Sequence, residues 1–177
     1  MDNSAVSVNR YSRVAQAFHW VSALLILIMA PMGLIMTRIS EDSAKQLYQI
    51  HVILGITVLL LTIFRVLWVF FDERPEELTQ LENWRKQVFI WNHRLIYIGL
   101  FVLSTSGLGM LLTSGVSLPP TNVAPEMIVE SLPKKAHVLL SKIFIALLII
   151  HIVGVISYQV TKGNTLARMG IPVRSSR

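Results

Sequence analysis

Four histidines, His19, His51, His137 and His151, fall at matching depths in four apolar stretches, and the last two share one stretch at His-x13-His spacing. Fourteen residues advance an α-helix by about 21 Å and return to within about 40° of the same face. His137 and His151 therefore point the same way from opposite ends of one helix. Imidazole is a common metal ligand. Each of the two needs a partner at its own level, and the other stretches supply one. Such an arrangement can clamp two stacked haems, one above the other.

The elements that must position these side chains follow from composition. The chain has 177 residues, 53% hydrophobic and 15% charged, with a mean hydropathy of +0.59. That is too apolar for an ordinary soluble domain and indicates an integral membrane protein. A span needs roughly 20 mostly apolar residues, and four segments meet this: about 14–37, 46–71, 89–113 and 135–161. Pro75 breaks off the second helix. Pro119, Pro120, Pro125 and Pro133 make the third connection an irregular, partly rigid loop. The predicted fold is all-α: one antiparallel four-helix bundle in the membrane, binding two haems b.

Met1 to Ala17 lack a short apolar core before a cleavage site, so no cleaved signal peptide is expected. Cysteine is absent, which excludes disulfides, thiolate metal sites and covalent C-x-x-C-H haem attachment. The net charge of +6 would suit nucleic acid, but the basic residues lie at helix ends and in the tail, where topology and lipid headgroups account for them. Arg10, Arg13, Arg74, Arg85, Lys86, Lys162, Arg168, Arg174 and Arg177 fall on one side, against Arg38, Lys45, Lys134 and Lys135 on the other. This bias predicts that both termini are cytoplasmic.

Depth then pairs His19 with His151 near the cytoplasmic face and His51 with His137 near the outer face. Gly55, one turn after His51, and Gly33, Gly107, Gly109 and Gly154 could relieve crowding by a porphyrin or serve close helix packing. A lone intramembrane histidine is often only a satisfied polar group near an interface. Four are harder to dismiss, because ionisable groups in a bilayer are costly and face the bundle interior. Zinc fits poorly, since the pairs lie at different depths without a carboxylate to complete a tetrahedral site. His93 could compete with His19, contact a propionate or quinone, or cap the interface beside Trp91 and Asn92; a non-ligand role is favoured. Arg65 shares the face of His51 fourteen residues on and reaches the inner level. It could pair with a haem propionate or snorkel at its helix end. Lys142, about 140° round from His137, is expected to snorkel outward. Most of the Trp and Tyr residues read as an aromatic belt.

Taken together, these residues resemble the bacterial cytochrome b561 family. The resemblance rests on Tyr11-Ser12 with His19-Trp20; on His51, Gly55 and Arg65; on His93, Tyr97 and Gly107; and on His137-x13-His151 followed by the tail Lys162-Gly163-Asn164-Thr165-Leu166-Ala167-Arg168-Met169. It covers nearly the whole chain. It implies four helices in a bacterial inner membrane, with His19, His51, His137 and His151 ligating two non-covalent haems b. It also implies ubiquinone as electron partner. A family member resembling this chain oxidises periplasmic superoxide, but carries a His-His pair where this chain has Tyr158-Gln159.

The function expected is transmembrane electron transfer with quinone. Lys134 and Lys135, with Arg38 and Lys45 nearby, would form an outer electropositive rim for superoxide. Tyr158, Gln159 and His93 make the cytoplasmic side a candidate for quinone. The competing readings are a membrane anchor for a dehydrogenase or hydrogenase, with a partner redox protein or a second copy, and a non-redox transporter whose histidines relay protons.

Overall fold

The computed structural model describes residues 10–72, 83–162 and 165–172. Among them there are helices and no strands. Helix α1 is Arg13–Met36, α2 Glu41–Trp68, α3 Asn83–Thr113 and α4 Leu132–Lys162. A 3₁₀ turn at Pro125–Met127 interrupts the third connection, and a short α5, Thr165–Arg168, follows α4. Each of α1 to α4 is long and apolar enough to cross a membrane.

Three of the four long helices begin several residues before the apolar run that signals them. Ser40 precedes Glu41 and Asp42 in the first turn of α2, where acidic side chains favour the positive end of the helix. α2 thus starts five residues before Gln46. α3 includes the polar turn Asn83–Lys86 ahead of Phe89. In α4, Pro133 sits in the first turn rather than in the loop, a position where its missing N–H costs nothing. Ser131 caps that turn by accepting from Lys134 N at 3.4 Å. Polar and Pro-containing turns extend a helix beyond its apolar run, so hydropathy alone places the start too late. At the other end, α2 closes at Trp68 rather than Phe71. Glu73, Arg74, Pro75, Glu76, Glu77, Glu82, Gly163, Asn164, Arg174 and Arg177 lie outside the described residues.

α1 packs along α2, α2 along α3, and α3 along α4, whereas α4 makes no comparable approach to α1 or α2 among the described residues. At mid-bundle, Val58, Leu100 and Phe144 form a buried core with Leu25, Ile26, Met29, Ile96 and Leu103 around it. Leu111, Val116 and Val123 form a second cluster under the third connection, backed by Val52 and Ile128. Large apolar side chains such as Leu24, Phe64, Leu139 and Val153 point outward. A surface of that kind suits lipid, where helices associate by packing rather than by the hydrophobic effect.

Candidate functional site: two histidine levels

His51, in the third turn of α2, faces His137 in the second turn of α4. Their ring centroids are 6.4 Å apart and the planes are nearly perpendicular at 86°. Each ring lies against a glycine of a neighbouring helix. A Cβ at Gly33 on α1 would stand 3.2 Å from His51 Cε1, and one at Gly107 on α3 would stand 3.1 Å from His137 Cε1. Only a missing side chain lets these helices approach the rings. His137 Nδ1–H donates to the Leu103 carbonyl at 3.1 Å, which also receives the Ser106 hydroxyl at 2.7 Å. A carbonyl can only accept, so Nδ1 carries the proton and the Nε2 lone pair is free. His51 Nδ1 is buried with no hydrogen-bond partner.

The inner level is more crowded. His19 and His151 also stand 6.4 Å apart, with planes tilted by 57°. His93 joins them, edge-on to His151 at 4.8 Å and 4.2 Å from the Phe89 ring. Its Nδ1–H donates to the Phe89 carbonyl at 2.8 Å. Beside it, buried Asn92 donates to the Leu147 carbonyl at 3.3 Å. Arg65 Nη2 donates to His19 Nδ1 at 3.2 Å, and its guanidinium lies 5.0 Å from the centre of the Tyr97 ring. Trp20 meets His19 edge-on at 5.2 Å.

These residues fit haem. Metal–imidazole bonds of about 2 Å each, with half a ring on either side, separate two centroids by about 6 Å. Both pairs are at that separation, and the His93–His151 contact is too short for it. Each pair reaches from α4 to α1 or α2, where the backbones stand apart, leaving width for a planar ring. The Val58–Leu100–Phe144 core separates the two levels. Among the described residues, no group of three or more His, Cys, Asp or Glu is placed to hold a metal ion.

The other glycines divide. Gly55 would place a Cβ 3.5 Å from Met29, and Gly109 one 3.4 Å from Pro133; both are contacts between helices. At Gly154 an added Cβ would meet nothing.

The outer lysines stand apart from the histidines' interior faces. Lys134 pairs with Glu130, and together with Lys135, Val138, Leu139 and the exposed Lys142 they line an open groove of about 310 Å³. Gln159 accepts from Leu166 N at 3.0 Å, so its amide oxygen serves the α4–α5 turn. Neighbouring Tyr158 is half-buried. A second groove of about 370 Å³, between Arg13, Val14, Ala17, Phe18, Val21 and Leu61, opens laterally near the inner level.

Two long-range clamps had no local signal. Gln49, two residues before His51, donates to the Pro120 carbonyl at 2.9 Å and accepts from Val123 N at 2.7 Å. It thereby ties the third connection over the outer pair. At the other end, Trp20 Nε1 donates to the Met169 carbonyl at 2.9 Å. The proximity of Gln49 and Trp20 to histidines was the sole sequence hint for either.

Residues 10–170 match the family described as prokaryotic cytochrome b561. Among curated proteins, cytochrome b561 homolog 2 of Escherichia coli (strain K12) is 28% identical over 100 residues, covering 55% of this chain and 53% of that protein. The aligned part is thus about half the length of that relative.

Proposed function

The chain belongs to the prokaryotic cytochrome b561 family, and from that premise we propose a di-haem b carrier that moves electrons across the bacterial inner membrane and exchanges them with ubiquinone. The family makes it an integral membrane protein of haem b electron transfer. The observation that carries the finer reading is the pair of 6.4 Å histidine separations, one at each level. His19 and His151 would hold the inner haem, and His51 and His137 the outer one.

An antiparallel bundle in a single domain is part of this proposal. It is supported by Gly33, late in α1, lying against His51, early in α2; by Gly107, late in α3, against His137, early in α4; and by His19, early in α1, beside His151, late in α4. The bias of basic residues supports a cytoplasmic side for both termini.

When bound, iron supplies one-electron chemistry, while protein supplies position and tuning. His137 holds its proton on Nδ1 against Leu103 and leaves Nε2 for ligation, the usual outer-shell arrangement. His19 would need the same tautomer, and its Nδ1 now accepts from Arg65. Were His19 to ligate, that guanidinium would be released to another acceptor, and a haem carboxylate would suit its fork. Both levels are fixed on α4, about 21 Å apart, so serving both needs no moving part. Lys135, with Lys134 partly offset by Glu130, would give the outer mouth a positive edge that speeds encounter with an anion such as superoxide. The lateral groove between Arg13 and Leu61 suits the entry of an apolar quinone, with His93 and Tyr158 on the same side.

The test is haem quantitation on purified protein. Two haems b per chain, all removed by acid–acetone because the chain has no cysteine, is the expected result. One haem per chain, or haem that survives extraction, overturns the reading.

A further inference from the structure

The tail from Thr165 to Ile171 folds back onto the start of α1. α5 and the turn after it are closed by Gly170 N–H to the Ala167 carbonyl at 3.2 Å and Ile171 N–H to the Leu166 carbonyl at 2.9 Å. Tyr11 N–H donates to the Arg168 carbonyl at 3.1 Å, and the Arg168 guanidinium lies 6.0 Å from the centre of the Tyr11 ring. Ala167 is buried. Gly170 has φ +83°, and an added Cβ would lie 2.1 Å from Gln16 Oε1. Gln16 is itself held, donating to the Tyr11 carbonyl at 2.7 Å. The turn is therefore seated on α1 through a position where a side chain meets both a strained backbone and an occupied space.

One contact of this seat reaches the histidines. Trp20 donates its indole N–H to the Met169 carbonyl at 2.9 Å, and the same indole stands edge-on to His19 at 5.2 Å. The hydrogen bond fixes where the indole lies, and the indole borders the imidazole. We propose that Trp20 and the turn Thr165–Gly170 act as one positioning device for His19, setting the orientation and water exclusion of the inner haem site while leaving the outer one untouched. Trp20 and Gly170 are positioning residues here, since neither is offered as a ligand. The shell around a ligand controls solvent access and hence potential. Loosening the device admits water, which favours the more highly charged oxidised state and lowers the inner potential.

This inference rests on His19 as an inner ligand, and the experiment separates the two. Full-length Trp20→Phe, Gly170→Val and the double variant are titrated for both haem potentials alongside haem quantitation, with His19→Ala as reference. Trp20→Phe keeps an aromatic ring beside His19 and removes the indole N–H together with part of the ring. Each single variant should retain two haems and lower the inner potential by about 59 mV, the one-electron equivalent of a tenfold shift in equilibrium. The outer potential should not move. Because the two residues act in series, the double variant should shift no further than either single one. Unchanged inner potentials, additive shifts, or equal movement of both haems overturn the proposal, with His19→Ala still losing one haem. If His19→Ala keeps both haems, it is the ligand assignment that fails.

Discussion

The two histidine levels have the same separation and different surroundings. At the outer level two imidazoles meet two glycines, one carbonyl and a loop tied down by Gln49. At the inner level a third histidine, a guanidinium, a tyrosine ring and an indole crowd the same kind of pair. The outer level is shaped by absence of bulk, and under the proposed function it would admit and hold a planar group. The inner level adds a guanidinium in contact with a ligand-pair ring and a third imidazole, and groups of that kind are means by which a protein tunes a potential or meets a quinone. Under the proposed function, holding and tuning would be divided between the two ends of one bundle.

The largest effects should come from the ligands. His51→Ala or His137→Ala should take haem content from two per chain to one and spare the inner spectral component. His93→Ala should leave both haems in place, since His93 stands too close to His151 to share an iron with it.

Crowding the outer cradle comes next. Gly107→Val or Gly33→Val pushes a side chain into a ligand ring, and overpacking of this kind costs about 1–3 kcal/mol. Haem loss on dilution should accelerate for the outer site alone. An equal effect at the inner site would remove the distinction between the levels.

Arg65→Gln should act at the inner level alone. Loss of a positive charge beside the site stabilises the oxidised form, so the inner potential should fall by about 59 mV for a tenfold change. A shift of the outer potential instead would place the guanidinium's influence at the wrong level.

How much of this was legible in the sequence can be judged from particular residues. Helical arithmetic brings His19 near His151 and His51 near His137, because a membrane span fixes depth and depth fixes neighbours. It also brings Arg65 to the inner level. It could not separate Gly33 and Gly107, which touch histidine rings, from Gly55, which touches Met29; that depends on helix rotation, which a nearly all-apolar helix does not encode. The starts of α2, α3 and α4 were misplaced because polar first turns carry no hydropathy signal. The seat of Met169 on Trp20 spans 149 residues, and no local pattern can announce it.

The smallest effect concerns the outer loop. Its own backbone N–H and then Lys45 hold the Glu126 carboxyl below the ordinary glutamate range, and a hydrogen bond from Lys134 does the same for Glu130. Lowered folded-state values mean that these pairs contribute in full above the unfolded value of about 4.3 and are lost as pH falls through the folded ones. Both pairs are exposed and screened, so the loss should be slight. Protection factors in residues 116–131, corrected for the intrinsic pH dependence of amide exchange, should fall modestly between about pH 5 and about pH 3. Lower protection factors at the higher pH would contradict the sign.

The most direct test of the central claim is a redox titration of reduced-minus-oxidised spectra, with haem quantitation, on the unmodified chain and on His19→Ala, His51→Ala and His93→Ala. Two components should be resolved in the unmodified chain and in His93→Ala. His19→Ala should lose one of them and His51→Ala the other. A chain that holds one haem, or that loses a haem with His93→Ala while keeping both with His19→Ala, would contradict the pairing of His19 with His151.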